Sequence, residues 1–298
     1  MSHPIAPNRR EFLNSAAASV GVFGLIGGMP SLAVHRPSAR RCIFLFLTGG
    51  PSQLDTFDPK PNAPEEVRGP FRPIATTVPG IQLAETLPRL AATAHRFALV
   101  RSLYHEEAPI HETGQQLVQT GRLCRAAAPP HLGALATYLA ANQAHRESSA
   151  WALLPGSLGD TGVGISHGQS EGWLGEQHAP LTLRDDAPPF VPAVSPRTIL
   201  LNGLWEAFDL ERERPALRAR YGATRFGQHV LLARRLVERG LGLVAVNMFA
   251  TVFNELSWDC HADGGALAAS LDDYRSVVCP TFDAACSALL DDLAERGL

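Results

Sequence analysis

Six consecutive apolar residues, Cys42-Ile43-Phe44-Leu45-Phe46-Leu47, run without a polar break and stop at Thr48-Gly49-Gly50-Pro51. A strand with one wet face would alternate polar and apolar residues. This run does not alternate, so it reads as a strand buried on both faces. Strands of that kind belong to parallel sheets covered by helices, and the expectation is an α/β fold with a mostly parallel sheet. Leu243-Val244-Ala245-Val246 repeats the pattern, and Phe97-Ala98-Leu99-Val100 is read as a further strand. Helices are expected over Thr86–Ala94, His111–Gln119, Leu132–Asn142, Leu204–Tyr221 and Gln228–Arg239. A last helical stretch from Leu267 is expected to break at Pro280 and resume from Phe282 to Glu295. Ser148 to Arg197 is rich in Gly and Pro, has no period, and reads as an irregular excursion from the core.

The N-terminus carries a different signal. Asn8-Arg9-Arg10-Glu11-Phe12-Leu13 precedes a small-residue apolar run from Ser15 to Met29 and the step Ser31-Leu32-Ala33. Twin arginines, a modest apolar run and a small-x-small step read as a twin-arginine export signal over residues 1–34. The alternative is an amphipathic helix with two incidental arginines. The run is too short and too rich in Gly and Ala for a stable membrane span, which needs about 20 apolar residues. The expected mature domain is 35–298, periplasmic or extracellular, with the twin-arginine translocase as its partner during export.

Net charge is −3, which gives no electrostatic case for binding nucleic acid or an anionic membrane. The five cysteines, Cys42, Cys124, Cys260, Cys279 and Cys286, show no Cys-x-x-Cys spacing and read as mostly buried small hydrophobes. There is no Gly-x-Ser-x-Gly elbow, no P-loop and no dinucleotide fingerprint. Arg235–Leu241 leads into a strand, whereas Asp292–Leu298 has nearly the same ending and is followed by nothing. A helix stopped by Gly calls for a parallel strand next, so the chain is expected to be incomplete at its C-terminal end.

In open parallel sheets, sites form beyond the carboxyl ends of the strands. Three expected strand ends carry polar clusters. The first contains Ser52, Asp55 and Asp58, which could supply a hydroxyl and hard oxygen ligands, or could form an Asx-rich turn. The second, His105 to Gly114, places two histidines and three carboxylates near a helix start. A helix N-terminus suits an anion and imidazole suits a transition metal, though a solvated helix start would look the same. The third is Trp258-Asp259-Cys260-His261-Ala262-Asp263. In extended backbone Asp259 and His261 project to one side and could share a metal, with Asp263 orienting the imidazole. The alternative is a surface loop around a buried Trp.

Gly49-Gly50-Pro51-Ser52-Gln53-Leu54-Asp55-Thr56-Phe57-Asp58-Pro59-Lys60-Pro61 resembles the opening motif of the bacterial domain-of-unknown-function 1501 family. Arg220-Tyr221-Gly222, Phe226-Gly227-Gln228 and Leu232 to Glu238 resemble its middle helix, and Trp258-Asp259-Cys260-His261 its Trp-Asp-x-His motif. The resemblance implies an exported protein of the alkaline phosphatase and sulfatase-like α/β superfamily. It implies a two-metal hydrolase of phosphate or sulfate esters, sulfated or phosphorylated glycans included, using divalent zinc, manganese or calcium. Asp259 and His261 would be metal ligands with Asp55 their partner. His111 or His105 would bind the anion or carry a proton, and Thr113 and Ser52 are the candidate hydroxyls.

Two departures from the family pattern stand out. Members continue into Glu-Phe-Gly-Arg and Arg-Asp-His motifs that this sequence lacks. The sulfatase nucleophile position, nine residues before Thr120-Gly121, holds His111 rather than a cysteine. On this reading the chain alone is weakly active or inactive. The rival reading keeps the fold as a non-catalytic exported protein gripping a polysaccharide or a cell-envelope partner.

Overall fold

The computed structural model describes residues 41–141, 150–159, 163–184, 188, 190–192, 203–253, 255–260 and 269–298. The export signal, His261 and Asp263 lie outside these residues, as does part of the 148–197 excursion.

The central element is a three-stranded parallel sheet of β1 (Cys42–Phe46), β4 (Trp151–Leu154) and β5 (Leu243–Asn247), in the order β1-β5-β4. Cys42 pairs with Leu243 and Phe46 with Asn247; Trp151 pairs with Leu243 and Leu154 with Val246. Every residue of central β5 is buried, which is why its sequence is a continuous apolar run rather than an alternating one. A short antiparallel pair, β2 (Pro73–Ala75) and β3 (Gln82–Ala84), lies apart from this sheet.

The principal helices are α1 (Pro88–Ala92), α2 (His111–Thr120), α3 (Leu132–Ala141), α4 (Pro215–Tyr221), α5 (Arg225–Glu238) and α6 (Cys279–Arg296). The pleat sends alternate strand residues to opposite faces. Phe44, Trp151, Leu153, Leu243 and Ala245 pack with Ala134 of α3 on one face. Val244, Val246, Ala152 and Leu154 join Val230, Leu231 and Ala285 of α5 and α6 on the other. The result is a three-layer α/β arrangement, as the unbroken apolar strands require.

Several expectations need correction. Phe97–Val100 is not a strand. Phe97 and Leu99 pack on the core while Val100 stays exposed, and both sides of β5 are already taken by β1 and β4. The third strand is instead Trp151–Leu154, inside the stretch read as irregular. The helix expected over Thr86–Ala94 is shorter: α1 starts at Pro88 with Leu87 in the cap position, and the Thr86 hydroxyl donates to the Asp55 carbonyl. Leu204–Tyr221 is not one helix. It is a turn at Trp205–Phe208, a 3-10 turn at Leu210–Arg212 and then α4, which starts at Pro215. The last helical stretch runs from Leu271 to Arg296, with a π-helical turn at Tyr274–Val278 just before Pro280. Extra looping at that point accommodates a residue with no N–H to donate. Cys279 is buried as expected, but Cys42 and Cys260 are exposed. Among the described residues no helix is long and apolar enough to cross a membrane.

Candidate active site at the carboxyl end of the sheet

β1 and β5 run parallel, so the loops that follow them emerge side by side. Those loops are pressed together. The Trp258 N–H donates to the Thr48 carbonyl at 3.1 Å, and the Thr48 hydroxyl donates to the Phe249 carbonyl at 2.9 Å. Gly49 adopts φ +112°, and a Cβ there would sit 2.5 Å from the Asp259 nitrogen. Only glycine meets both conditions. The Gly-Gly step therefore lets one loop close onto the next.

Trp258 anchors the second loop. It is fully buried, and its ring meets Tyr274 and Phe282 edge-on at 5.1 and 5.8 Å between centroids. The Tyr274 hydroxyl donates to the Trp258 carbonyl at 2.6 Å and accepts the Ser52 N–H at 3.2 Å. One phenol thus ties both loops, and burial pushes its pKa well up. It remains a neutral donor.

These restraints fix Asp259, whose N–H donates to Ser257 Oγ at 3.2 Å and whose carbonyl accepts from Ala269 at 2.8 Å. Its Oδ2 lies 3.1 Å from His111 Nε2. His111 is the first residue of α2, following an extended Ile110 that offers no side-chain cap. Its side chain keeps 21% exposure and that of Asp259 keeps 9%, so the pair is reachable from solvent yet shielded from full hydration. His105 is exposed, with Nε2 3.9 Å from where a Cβ on Gly114 would lie, so its ring rests against the same helix.

The residues after β1 form a second group. The Ser52 hydroxyl donates to Asp55 Oδ2 at 2.6 Å. The other carboxylate oxygen of Asp55 is buried without a hydrogen-bond partner, against Gly69, where a Cβ would come within 2.7 Å of it. A cleft of about 650 Å³ opens beside Asp55 between Lys60, Arg68 and Phe71. That volume suits a small organic ligand. Asp58 is held by Lys60 and by Arg101 at 3.3 Å, an ion-paired role rather than a ligand's.

Thr113 is fully buried and its hydroxyl has no partner. A nucleophile must meet its substrate, and this one does not reach the surface. Among the described residues no three His, Cys, Asp or Glu side chains are grouped to hold a metal ion. His111 and Asp259 therefore stand as a pair, with His261 two residues beyond Asp259 and outside the described residues.

The sequence reading misses a polar network. On α2, Gln115, Gln116 and Gln119 are buried. Gln169 donates to Gln119 Oε1 at 2.7 Å and to Asn247 Oδ1 at 2.8 Å, and Asn247 ends β5. The signal was available. A helix with glutamines at 115 and 119, one face at i and i+4, buries amides that must find partners.

The family model described as a protein of unknown function (DUF1501) matches residues 39–203 and 202–298. No curated protein and no solved structure matches the chain.

Proposed function

Because the chain belongs to the DUF1501 family, and because its fold sets His111 against Asp259 at the carboxyl end of a parallel sheet, we propose that it is an exported, metal-dependent hydrolase of phosphate or sulfate esters. The reading places it with the alkaline phosphatase and sulfatase-like enzymes.

The observation that carries this is the 3.1 Å separation of His111 Nε2 and Asp259 Oδ2. Two donors each about 2.0–2.2 Å from one ion at 90–110° stand roughly 2.8–3.6 Å apart. The pair therefore fits two ligands of a single ion, with His261 as the next donor along the chain. A mixed imidazole and carboxylate set suits zinc or manganese, and calcium with more oxygen donors. A bound ion would polarise the ester and lower the pKa of a water molecule.

The chain's own residues do the rest. The first turn of α2 presents the positive end of the helix dipole to the ester's anionic group. Ser52 is the candidate hydroxyl, since Asp55 already accepts its proton's hydrogen bond, the arrangement of a base beside a nucleophile. The cleft beside Asp55 would take the sugar or aryl portion of the ester.

The 3.1 Å contact also fits a metal-independent pair in which the carboxylate holds the imidazole as a general base. An assay separates the two. The full chain is offered a panel of aryl phosphates and sulfates with added zinc, manganese or calcium. Metal-dependent turnover, lost in Asp259→Ala and His111→Gln, is the expected result. Turnover that survives thorough chelation favours the metal-free pair. No turnover with any ester and any metal overturns the hydrolase reading and leaves a binding role for a polysaccharide or envelope partner.

Export through the twin-arginine translocase is part of the same proposal. Replacing Arg9 and Arg10 together by Lys is expected to leave the protein in the cytoplasm, checked by cell fractionation. Unchanged export would remove the twin-arginine reading.

A further inference from the structure

A tryptophan ring carries a large apolar surface, and a fold held by burial gains most by taking it inside. Trp151 and Trp258 are fully buried, whereas Trp173 is 55% exposed. The turn that carries it is pinned. Gly172–Leu174 is a single 3-10 turn, and Leu174 packs inward against the group that holds Trp151 and Leu153. The Gly172 N–H donates to Ser170 Oγ at 3.2 Å, and the Ser170 carbonyl accepts the His131 N–H at 2.9 Å. Gly172 takes φ +55°, and a Cβ there would lie 2.6 Å from both the Ala128 carbonyl oxygen and the Pro130 nitrogen. Only glycine fits, so the turn sits hard against the neighbouring loop while Trp173 stands out from it.

The Arg122 guanidinium lies over the Trp173 ring, 5.6 Å from its centroid. The Arg122 backbone is fixed by Thr120, whose hydroxyl donates to the Arg122 carbonyl at 2.8 Å and accepts the Arg122 N–H at 3.3 Å. Among the described residues no carboxylate pairs with this guanidinium. Its N–H donors therefore stand beside the exposed ring, ready for acceptors on an incoming molecule. Arg122 follows Gly121, which ends α2. That helix has ten residues and spans about 15 Å, so the Trp173–Arg122 pair lies at the opposite end of it from His111.

We propose that Trp173 and Arg122 form a saccharide-binding platform. A sugar ring has an apolar face of C–H groups and a rim of oxygens. The face stacks on the indole, and the rim oxygens accept from the guanidinium. Glu171, Glu176 and Gln177, beside the tryptophan in the chain, are polar and at least partly exposed, whereas the centre of a protein interface is depleted of charge. That composition favours a hydroxylated ligand over a protein partner. The platform uses none of the residues on which the ester-hydrolase reading rests.

The test uses the full chain labelled with nitrogen-15 in the tryptophan indoles, titrated with a neutral gluco-oligosaccharide and with an oligouronate. Saccharide is expected to shift the Trp173 signal and to leave those of Trp151 and Trp258 in place. Binding of both sugars assigns Arg122 to ring hydroxyls; binding of the oligouronate alone assigns it to a carboxylate. Trp173→Ala is expected to weaken binding about tenfold, and Trp173→Tyr, which keeps a stacking ring, to weaken it less. Arg122→Leu is expected to weaken it about tenfold as well. Unchanged urea midpoints would confirm that each variant is folded. No response to either sugar, or a Trp173→Ala variant that binds like the wild type, overturns the platform and leaves the hydrolase reading standing. A Trp173 signal that moves with protein concentration in the absence of sugar gives the surface to a second copy of the chain and overturns it too.

Discussion

Asp259 and His111 are 148 residues apart and meet because of what surrounds them. Gly49 leaves room for the Asp259 backbone, Trp258 buries the loop, and Tyr274 ties it to Ser52. Gly49→Ala tests that account. A Cβ placed 2.5 Å from the Asp259 nitrogen at φ +112° must displace backbone, since no flexible side chain is there to yield. The expected cost is about 1–3 kcal/mol of stability, read by urea unfolding. An unchanged midpoint would show that the loops are not locked together. Much of the site is legible in residues alone. His111, Asp259 and Ser52 stand in clusters of chemically capable side chains, each just past an apolar run or at a helix start. Asp55 and Thr113 show the limit. Residue type marks both as capable, but burial decides their use, and burial depends on Gly69 and on the packing of α2.

At the scale of elements, α3 approaches the sheet unusually closely. A Cβ on Gly133 would lie 2.4 Å from the Trp151 ring. That ring cannot retreat, because it stacks on His131 at 4.4 Å and its Nε1–H donates to the His178 carbonyl at 2.8 Å. Gly133 is the second residue of α3, where alanine gains less than the about 1 kcal/mol it has over glycine in a helix interior. Gly133→Ala is nonetheless expected to destabilise by about 1–3 kcal/mol, because overpacking outweighs propensity here. A rise in the thermal midpoint would contradict this packing. β5 is readable because burial on both faces leaves an unbroken apolar run, whereas β1 carries the same kind of run although it is not buried as expected: it lies at the edge of the described sheet, with Cys42 exposed and Ile43, Phe44, Leu45 and Phe46 only partly buried. β4 escapes notice because its four residues, Trp151–Leu154, are too few to stand out before Pro155. Phe97–Val100 carries strand-forming residues but finds no open place beside β5, so tertiary pairing overrides local preference. Between α5 and α6, fully buried Arg234 pairs with Glu213, Glu238 and Asp292 at 2.7–2.8 Å. Asp292→Ala would leave that guanidinium undercompensated, with an expected loss of about 3–5 kcal/mol in urea unfolding. A loss under 1 kcal/mol would show the network to be dispensable.

For the molecule as a whole, acid should act in two stages. Burial pushes His131 and His229 down to about 4, with Arg225 adding to the effect on His229. In the unfolded chain histidine takes a proton near 6.5. Between those values the unfolded state binds protons that the folded state refuses, so stability falls as pH drops from about 6.5 to about 4 and levels off below. At lower pH a second loss follows. Burial works against ionised Asp292 and Glu213, but arginines beside both hold their carboxyls below the usual range. Their contribution is present above the ordinary carboxylate pKa and disappears as pH falls through the depressed values. The paired change His131→Asn and His229→Asn is expected to flatten the first stage in urea midpoints taken against pH; an unaltered slope would assign it to other groups. The most direct check on the function is metal content. The full chain is loaded with zinc, manganese or calcium, dialysed, and analysed by elemental mass spectrometry beside Asp259→Ala, His261→Ala and His111→Gln, each confirmed folded. The expected result is retention of at least one ion per wild-type chain and loss of that ion in the variants. Wild-type protein that retains no ion, or variants that match its stoichiometry, would contradict the metal-dependent site.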